Sequence, residues 1–275
     1  MKKRFKLLPF LGILLAISSL GLSKTKAQQD WQLFWSDEFN GAKGSSVDPQ
    51  IWTQEVGGQG WGNSELEFYT LGTKNAYQDG TGNLVLKAIK EKSNFGCWYG
   101  NCQYTSARLT TKGKIERTYG RFEARIRIPY GQGIWPAFWL LGADIAKTGW
   151  PNCGEIDVME NIGREPSTVH GTVHGSGYSG GNGIGASFSS AQKFSDGFHV
   201  YAIEWEPDVI RWYVDDALYQ TRTPKDLPEG AKWVFDHNFF LILNLAVGGG
   251  WPGNPDAKSV FPQSMKVDYL RVFER

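Results

Sequence analysis

The chain is short of sulfur, of helical patterning and of repeats. Only two methionines follow the initiator in 275 residues, and there are three cysteines. Past residue 27, no stretch of ten or more residues spaces its apolar positions at a helical period, which argues against a bundle or an α/β fold. No internal period is present, leaving no ground for a propeller or a solenoid. No linker rich in Pro, Ser or Thr marks off a second module. An excess of one charge is missing too. Six of the 29 basic residues and none of the 28 acidic ones lie in the first 27 positions, so the remainder carries 23 basic against 28 acidic residues, a formal charge of −5. That balance offers no electrostatic reason to expect nucleic acid or an anionic membrane as a partner.

The first 27 residues read as a secretory signal peptide. Lys2, Lys3, Arg4 and Lys6 form a charged start, an apolar stretch runs from Leu7 to Leu22, and Thr25-Lys26-Ala27 offers a small-residue cleavage site before Gln28. The apolar stretch, broken by Pro9, falls short of the roughly 20 residues a membrane span needs. The expectation is an exported protein, periplasmic or extracellular, free of the membrane after cleavage and monomeric, with residues 28–275 as one domain. Export permits disulfides. Cys97 and Cys102 flank a Gly- and aromatic-rich loop and are candidates to pair, which leaves Cys153 as a buried thiol.

What the chain has in quantity is Gly (34), Trp (12), Tyr (11) and Phe (16), distributed over period-two runs. Phe122, Ala124, Ile126 and Ile128 alternate with Arg121, Glu123, Arg125 and Arg127, a strand whose charged face is expected in solvent. Leu84, Leu86 and Ala88 follow the turn Thr81-Gly82-Asn83. Residues 200–206, 209–214 and 217–221 are strands separated by Pro207-Asp208 and Asp215-Asp216. Phe239 to Val247 is almost continuously apolar, as in a strand buried on both faces. Lys266 to Phe273 is a last strand, expected to pair near the N-terminus. Gly175 to Gly185 reads as a mobile loop. Short strands with frequent turns and no helices predict an all-β sandwich of two antiparallel sheets.

The chemistry concentrates in Glu155-Ile156-Asp157-Val158-Met159-Glu160. In a regular strand, residues 155 and 157 share a face and 160 points away. All three acids share a face only if a β-bulge near Val158-Met159 absorbs one residue, a device common beside active sites. Three converging acids repel one another, so at least one holds its proton to a raised pKa, as a general acid requires. One protonated and one ionised carboxyl are the machinery of glycoside hydrolysis. A solvated strand face, or a calcium site built from the same oxygens, are the competing readings.

The neighbourhood favours sugar chemistry. Sugar rings present apolar C–H faces that stack on indoles. Trp135 and Trp139, four residues apart, share a face of a strand leading to the acids. Trp61-Gly62-Asn63-Ser64-Glu65 supplies an indole, an amide and a carboxylate on a loop, and Gly248-Gly249-Gly250-Trp251 supplies another Trp. His170, Thr172 and His174 alternate on a strand that could set His174 against the carboxylates.

These segments, with Trp35-Ser36-Asp37-Glu38-Phe39, Tyr104-Thr105-Ser106-Ala107-Arg108, Trp135-Pro136-Ala137-Phe138-Trp139 and Val267-Asp268-Tyr269-Leu270-Arg271-Val272, resemble glycoside hydrolase family 16 over nearly the whole chain past residue 27. The resemblance implies a β-jelly-roll sandwich with a substrate cleft across its concave sheet. It implies Glu155 as nucleophile, Glu160 as acid/base, Asp157 as their assistant, and retention of anomeric configuration. The bulged acid motif with Trp61-Gly62-Asn63 and Ala246-Val247-Gly248-Gly249 is similar to the laminarinase branch, which acts on β-1,3-glucan. By that similarity Asn63, Arg108, Trp135, Trp139, His174 and Trp251 line the sugar cleft. Gly250 stands where many of that branch carry Asn. A structural calcium ion on the convex face, held by Glu38, Asp268 and the Gly82 carbonyl, is a further implication; no cofactor is implied for catalysis. Mixed-linkage glucanase, agarase or carrageenase activity on the same scaffold, and a glucan-binding lectin without turnover, are the alternatives.

Overall fold

Short runs with alternating apolar residues make strands with one inward face, and a computed structural model, describing residues 31–275, assembles them into a two-sheet jelly-roll sandwich. One sheet runs through Ala217–Arg222, Val209–Val214, His199–Glu206, Gly120–Arg127, Gln263–Glu274, Leu84–Lys90, Tyr104–Ser106 and Glu67–Tyr69. Two further strands, Gln32–Asp37 and Ala76–Gln78, join it by pairing with Gln263–Glu274 and Leu84–Lys90. The other sheet runs through Ile184–Ser189, Thr168–His174, Glu155–Glu160, Ile134–Gly142, Phe239–Val247, Arg108–Thr110 and Thr53–Gln54. Strand neighbours are antiparallel apart from Glu67–Tyr69 against Tyr104–Ser106. Trp31–Arg275 form one compact unit, and its only α-helix among the described residues is the single turn Ile145–Thr148. Residues 1–27, read above as a signal peptide, lie outside the described residues.

The fully buried strand Phe239–Val247 shows how the layers are filled. Phe239, Leu241, Leu243, Leu245 and Val247 enter the core between the sheets with Phe138, Leu140, Ile156 and Val158. Phe240 and Ile242 face the other way, into a second apolar cluster with Leu141 and Cys153. Apolar partners on both faces explain why the strand carries no alternation. The Cys153 thiol there is pushed up to about 11 by burial, which makes it unreactive at neutral pH. Cys97 and Cys102 form a disulfide across the small hairpin Gly96–Cys97/Gly100–Asn101.

Two sequence expectations are corrected. The charged face of Gly120–Arg127 is not solvated along its length. Arg121 and Glu123 are buried, and Arg121 is paired with Glu123, Glu204 and Asp216 at 2.9, 3.3 and 3.4 Å. Alternation locates a polar face, but tertiary ion pairing decides whether water reaches it. The Gly175 to Gly185 loop is pinned rather than loose, because Tyr178 is buried and donates its hydroxyl to the Lys232 carbonyl at 2.8 Å.

The ladder shifts register inside the acid strand. Asp157 pairs with Trp139 and Met159 with Phe138, while on the other side Asp157 pairs with Thr172 and Glu160 with His170. Such a bulge releases backbone groups from the ladder, and buried ones need partners. They come from the opposite sheet: the Trp212 indole donates to the Asp157 carbonyl at 2.7 Å, and the Gln220 amide to the Gly171 carbonyl at 3.1 Å. Trp212 and Gln220 are themselves cross-strand neighbours. Gly171 makes room for them, since a Cβ there would lie 2.5 Å from Trp212 Cδ1 and from the Tyr219 hydroxyl. Gly171→Ala is therefore expected to destabilise the fold by about 1–3 kcal/mol, read as a lowered midpoint in urea at unchanged slope.

Candidate active site

The bulge turns Glu155, Asp157 and Glu160 toward one face while Ile156, Val158 and Met159 go into the core. Across the ladder from Glu155 sits His174. Its Nε2 lies 3.1 Å from Asp157 Oδ2 and 3.6 Å from Glu155 Oε1. The approach to Asp157 lacks hydrogen-bond alignment, so Oδ2 is a buried carboxyl oxygen with no hydrogen bond. Glu155 Oε2 accepts from the Trp150 indole at 2.9 Å, and Glu160 Oε1 accepts from the Trp135 indole at 3.0 Å. Glu155, Asp157 and His174 each offer an atom within 4.8 Å of the others.

Burial pushes the Glu155 carboxyl up to about 8, helped by the Asp157 charge, while His174, the Trp150 N–H and Arg108 pull it down. Burial also pushes Asp157 up to about 8. Glu160 is raised well above the carboxylate range by burial and then by the charges of Asp157 and Glu155, against His174 and the Trp135 N–H. Such a cluster cannot ionise throughout at neutral pH. Of the two glutamates, Glu155 is the easier to ionise, because His174, the Trp150 N–H and Arg108 all pull its carboxyl down. The proton stays on Glu160, which no guanidinium stabilises.

The floor beside the acids is a chain of polar contacts under aromatic rings. The Trp139 indole donates to Asn244 Oδ1 at 2.7 Å, Asn244 Nδ2 to the Tyr69 hydroxyl at 3.2 Å, and that hydroxyl to Glu65 Oε2 at 3.0 Å. Asn63 Nδ2 donates to Glu65 Oε1 at 3.1 Å. Arg108 lies 4.8 Å from the rings of both Trp61 and Trp139 and is ion-paired with Glu55. Trp251 packs edge-on against Trp135 at 5.6 Å and His170 at 5.0 Å, and the Asn63 carbonyl accepts from Gly250 at 2.9 Å. Asn63, Arg108, Trp135, Trp139, His174 and Trp251 thus sit around the three acids. Glu65, which the sequence offered as a cleft carboxylate, is instead buried beneath the floor.

Several members were missed from sequence. Trp150 lies five residues before Glu155, and that proximity was a usable signal. Glu55, Tyr69, Asn244, Trp212 and Gln220 come from distant strands and carried none. Glu38, Gly82 and Asp268 fare differently. Both oxygens of Glu38 accept from Arg271 at 2.8 Å, and Asp268 is paired with Arg125 at 2.5 Å. Calcium takes carboxylate and carbonyl oxygens; in this structure each of the two carboxylates holds an arginine.

Comparisons with known proteins agree with this geometry. The family model described as Glycosyl hydrolases family 16 matches residues 64–271. A beta-glucanase of Rhodothermus marinus is 43% identical over 287 aligned residues, covering 99% of this chain and 96% of the relative. Among solved structures, the laminarinase catalytic domain of Thermotoga maritima superposes with a TM-score of 0.83 at 49% identity, covering 90% of this chain and 99% of that one. The laminarinase of Rhodothermus marinus does so with a TM-score of 0.80 at 44% identity, covering 89% and 97%.

Proposed function

The chain belongs to glycosyl hydrolases family 16, and from that premise we propose that it hydrolyses internal β-1,3-glucosidic bonds of laminarin-type glucans with retention of configuration. The asymmetry of the two glutamates carries the assignment of roles. Glu155, faced by Arg108, His174 and the Trp150 N–H, is the ionised nucleophile. Glu160, the more strongly proton-holding acid, is the acid/base.

In the first step a Glu155 oxygen attacks the anomeric carbon. The glycosidic C–O bond breaks, its electron pair stays on the leaving oxygen, and that oxygen takes the Glu160 proton. In the second step Glu160 removes a proton from water, the water oxygen attacks the anomeric carbon, and the bond to Glu155 breaks. Asp157, protonated beside Glu155 at neutral pH, spares the cluster a second adjacent charge and steadies the nucleophile. Trp135, Trp139 and Trp251 supply stacking surfaces, and Asn63 and Arg108 supply polar contacts to hydroxyls. No step uses a metal; a calcium ion held by Glu38, Asp268 and the Gly82 carbonyl would be structural. Residues 1–27 are read as an export signal. Among the described residues no helix is long and apolar enough to cross a membrane.

The deciding experiment is a reducing-end assay on laminarin, lichenan, agarose and κ-carrageenan, with products sized. Rapid shortening of laminarin with the β-anomer formed first by NMR supports the reading. Cleavage of a galactan instead, or initial α-anomer, would overturn it.

The raised acids also set a pH dependence. Activity should fall on the acid side as Glu155 gains a proton and on the alkaline side as Glu160 loses its own. Both limbs should lie above the ordinary carboxylate range. Stability follows the same groups. Asp157 has a folded pKa of about 8 against an ordinary 3.8, so its contribution is full below its unfolded pKa and is lost as pH rises through about 8. Asp157→Asn removes that penalty, and its Tm should exceed the parent's above pH 8. Each pKa unit relieved is about 1.4 kcal/mol, or roughly 3–6 °C in a domain of this size. Equal pH dependence of Tm in both proteins would refute this.

A further inference from the structure

We infer that the disulfide-closed hairpin around Trp98 forms a distal glucan subsite at the end of the cleft, an inference that rests on the glucanase reading above. The cleft floor runs from Glu155 past Trp139 to Arg108, whose guanidinium bridges Trp139 and Trp61. Beyond Arg108, the loop Val56–Gly62 encloses a depression of about 290 Å³ lined by Val56, Gly57, Gln59, Trp61 and Gly62. That is the size at which small-ligand sites begin.

The Gly96–Asn101 hairpin is fastened to this loop. The Trp98 backbone N–H donates to the Gly58 carbonyl at 3.0 Å, its indole N–H to the Glu65 carbonyl at 2.7 Å, and the Tyr99 hydroxyl to the Leu66 carbonyl at 2.6 Å. Contact is close enough that a Cβ on Gly58 would lie 2.6 Å from Cys97 Sγ, and one on Gly60 3.1 Å from the Trp98 ring.

With this much anchoring, Trp98 is still 51% exposed, and Val56 beside the depression is 47% exposed. An indole whose only polar group is already satisfied inward can offer water nothing but its apolar surface. Held in one orientation by the disulfide and three hydrogen bonds, it loses little entropy on stacking. The partner that fits is the C–H face of a sugar ring. The occupant is the continuing glucan chain, because the Trp98 ring packs beside Gly60, next in the chain to Trp61, whose ring shares the Arg108 guanidinium with Trp139 of the cleft floor.

The test measures binding of short and long laminari-oligosaccharides by calorimetry in a Glu155→Gln background, where nothing is turned over. Trp98→Ala is expected to weaken long oligosaccharides by roughly 3- to 10-fold, the range of one aromatic stacking contact, with short ones changed less than about twofold. Trp98→Phe should recover most of the loss, since it keeps the ring and drops only the inward hydrogen bond. Weakening that is equal at all lengths marks a structural role, and no weakening at any length marks a surface for some other contact, such as a second copy of the chain. Either overturns the inference. Turnover of laminarin by the parent protein separates the levels. If it occurs without the length dependence, only the distal subsite falls; if the parent neither cleaves nor binds β-1,3-glucan, both readings fall.

Discussion

Glu155→Gln is expected to lower laminarin turnover by at least about 10³-fold while leaving substrate binding within a fewfold. The amide keeps the size of the carboxylate and its carbonyl can still accept from Trp150, but it has no charge with which to attack. Glu160→Ala should fail differently. It should be slow on laminarin, whose leaving alkoxide needs a proton, and much less impaired on aryl glucosides whose leaving group needs none. Azide distinguishes the two roles. In Glu155→Ala it enters from the vacated face and yields an α-glycosyl azide. In Glu160→Ala it intercepts the glycosyl-enzyme and yields the β-azide. Exchange of these two outcomes would exchange the roles of the residues. The basis for the expectation is electrostatic, since Arg108, His174 and the Trp150 donor draw the negative charge to Glu155.

The second large effect is expected at a residue that never meets substrate. Trp212 is fully buried, and its indole N–H holds the Asp157 carbonyl at the bulge. Trp212→Phe leaves that carbonyl without its donor, at about 1–3 kcal/mol, and loses ring volume besides. Together these should lower Tm by roughly 5–10 °C. Release of the bulge should also let Asp157 and Glu155 drift, and displacements of 1 Å cost on the order of 10²-fold in rate. The expected signature is a fall in kcat with little change in KM. Trp205→Phe is the control. Trp205 is equally buried and donates to the Phe235 carbonyl at 3.0 Å, a backbone group outside the acid strand. It should lose similar stability and keep kcat. Equal kcat in the two variants would show that Trp212 supports the fold alone.

The sequence by itself determined the architecture and the place of the chemistry. Period-two alternation is a local property, so strands such as Val209–Val214 and Phe239–Val247 were legible without a structure. The acid spacing was legible for a related reason: residues 155, 157 and 160 share a face only with one residue absorbed near Val158, and the ladder shifts there. Tertiary structure decided everything that depends on which distant strands become neighbours. It covered Arg121 with Glu204 and Asp216, occupied Glu38 and Asp268 with arginines, sank Glu65 beneath the floor, and brought Asn244, Tyr69 and Trp212 to the site. It also gave the two glutamates different surroundings. A carboxyl's proton affinity is set by burial and by charges within a few ångströms, and those charges come from strands separated along the chain, which no local pattern records.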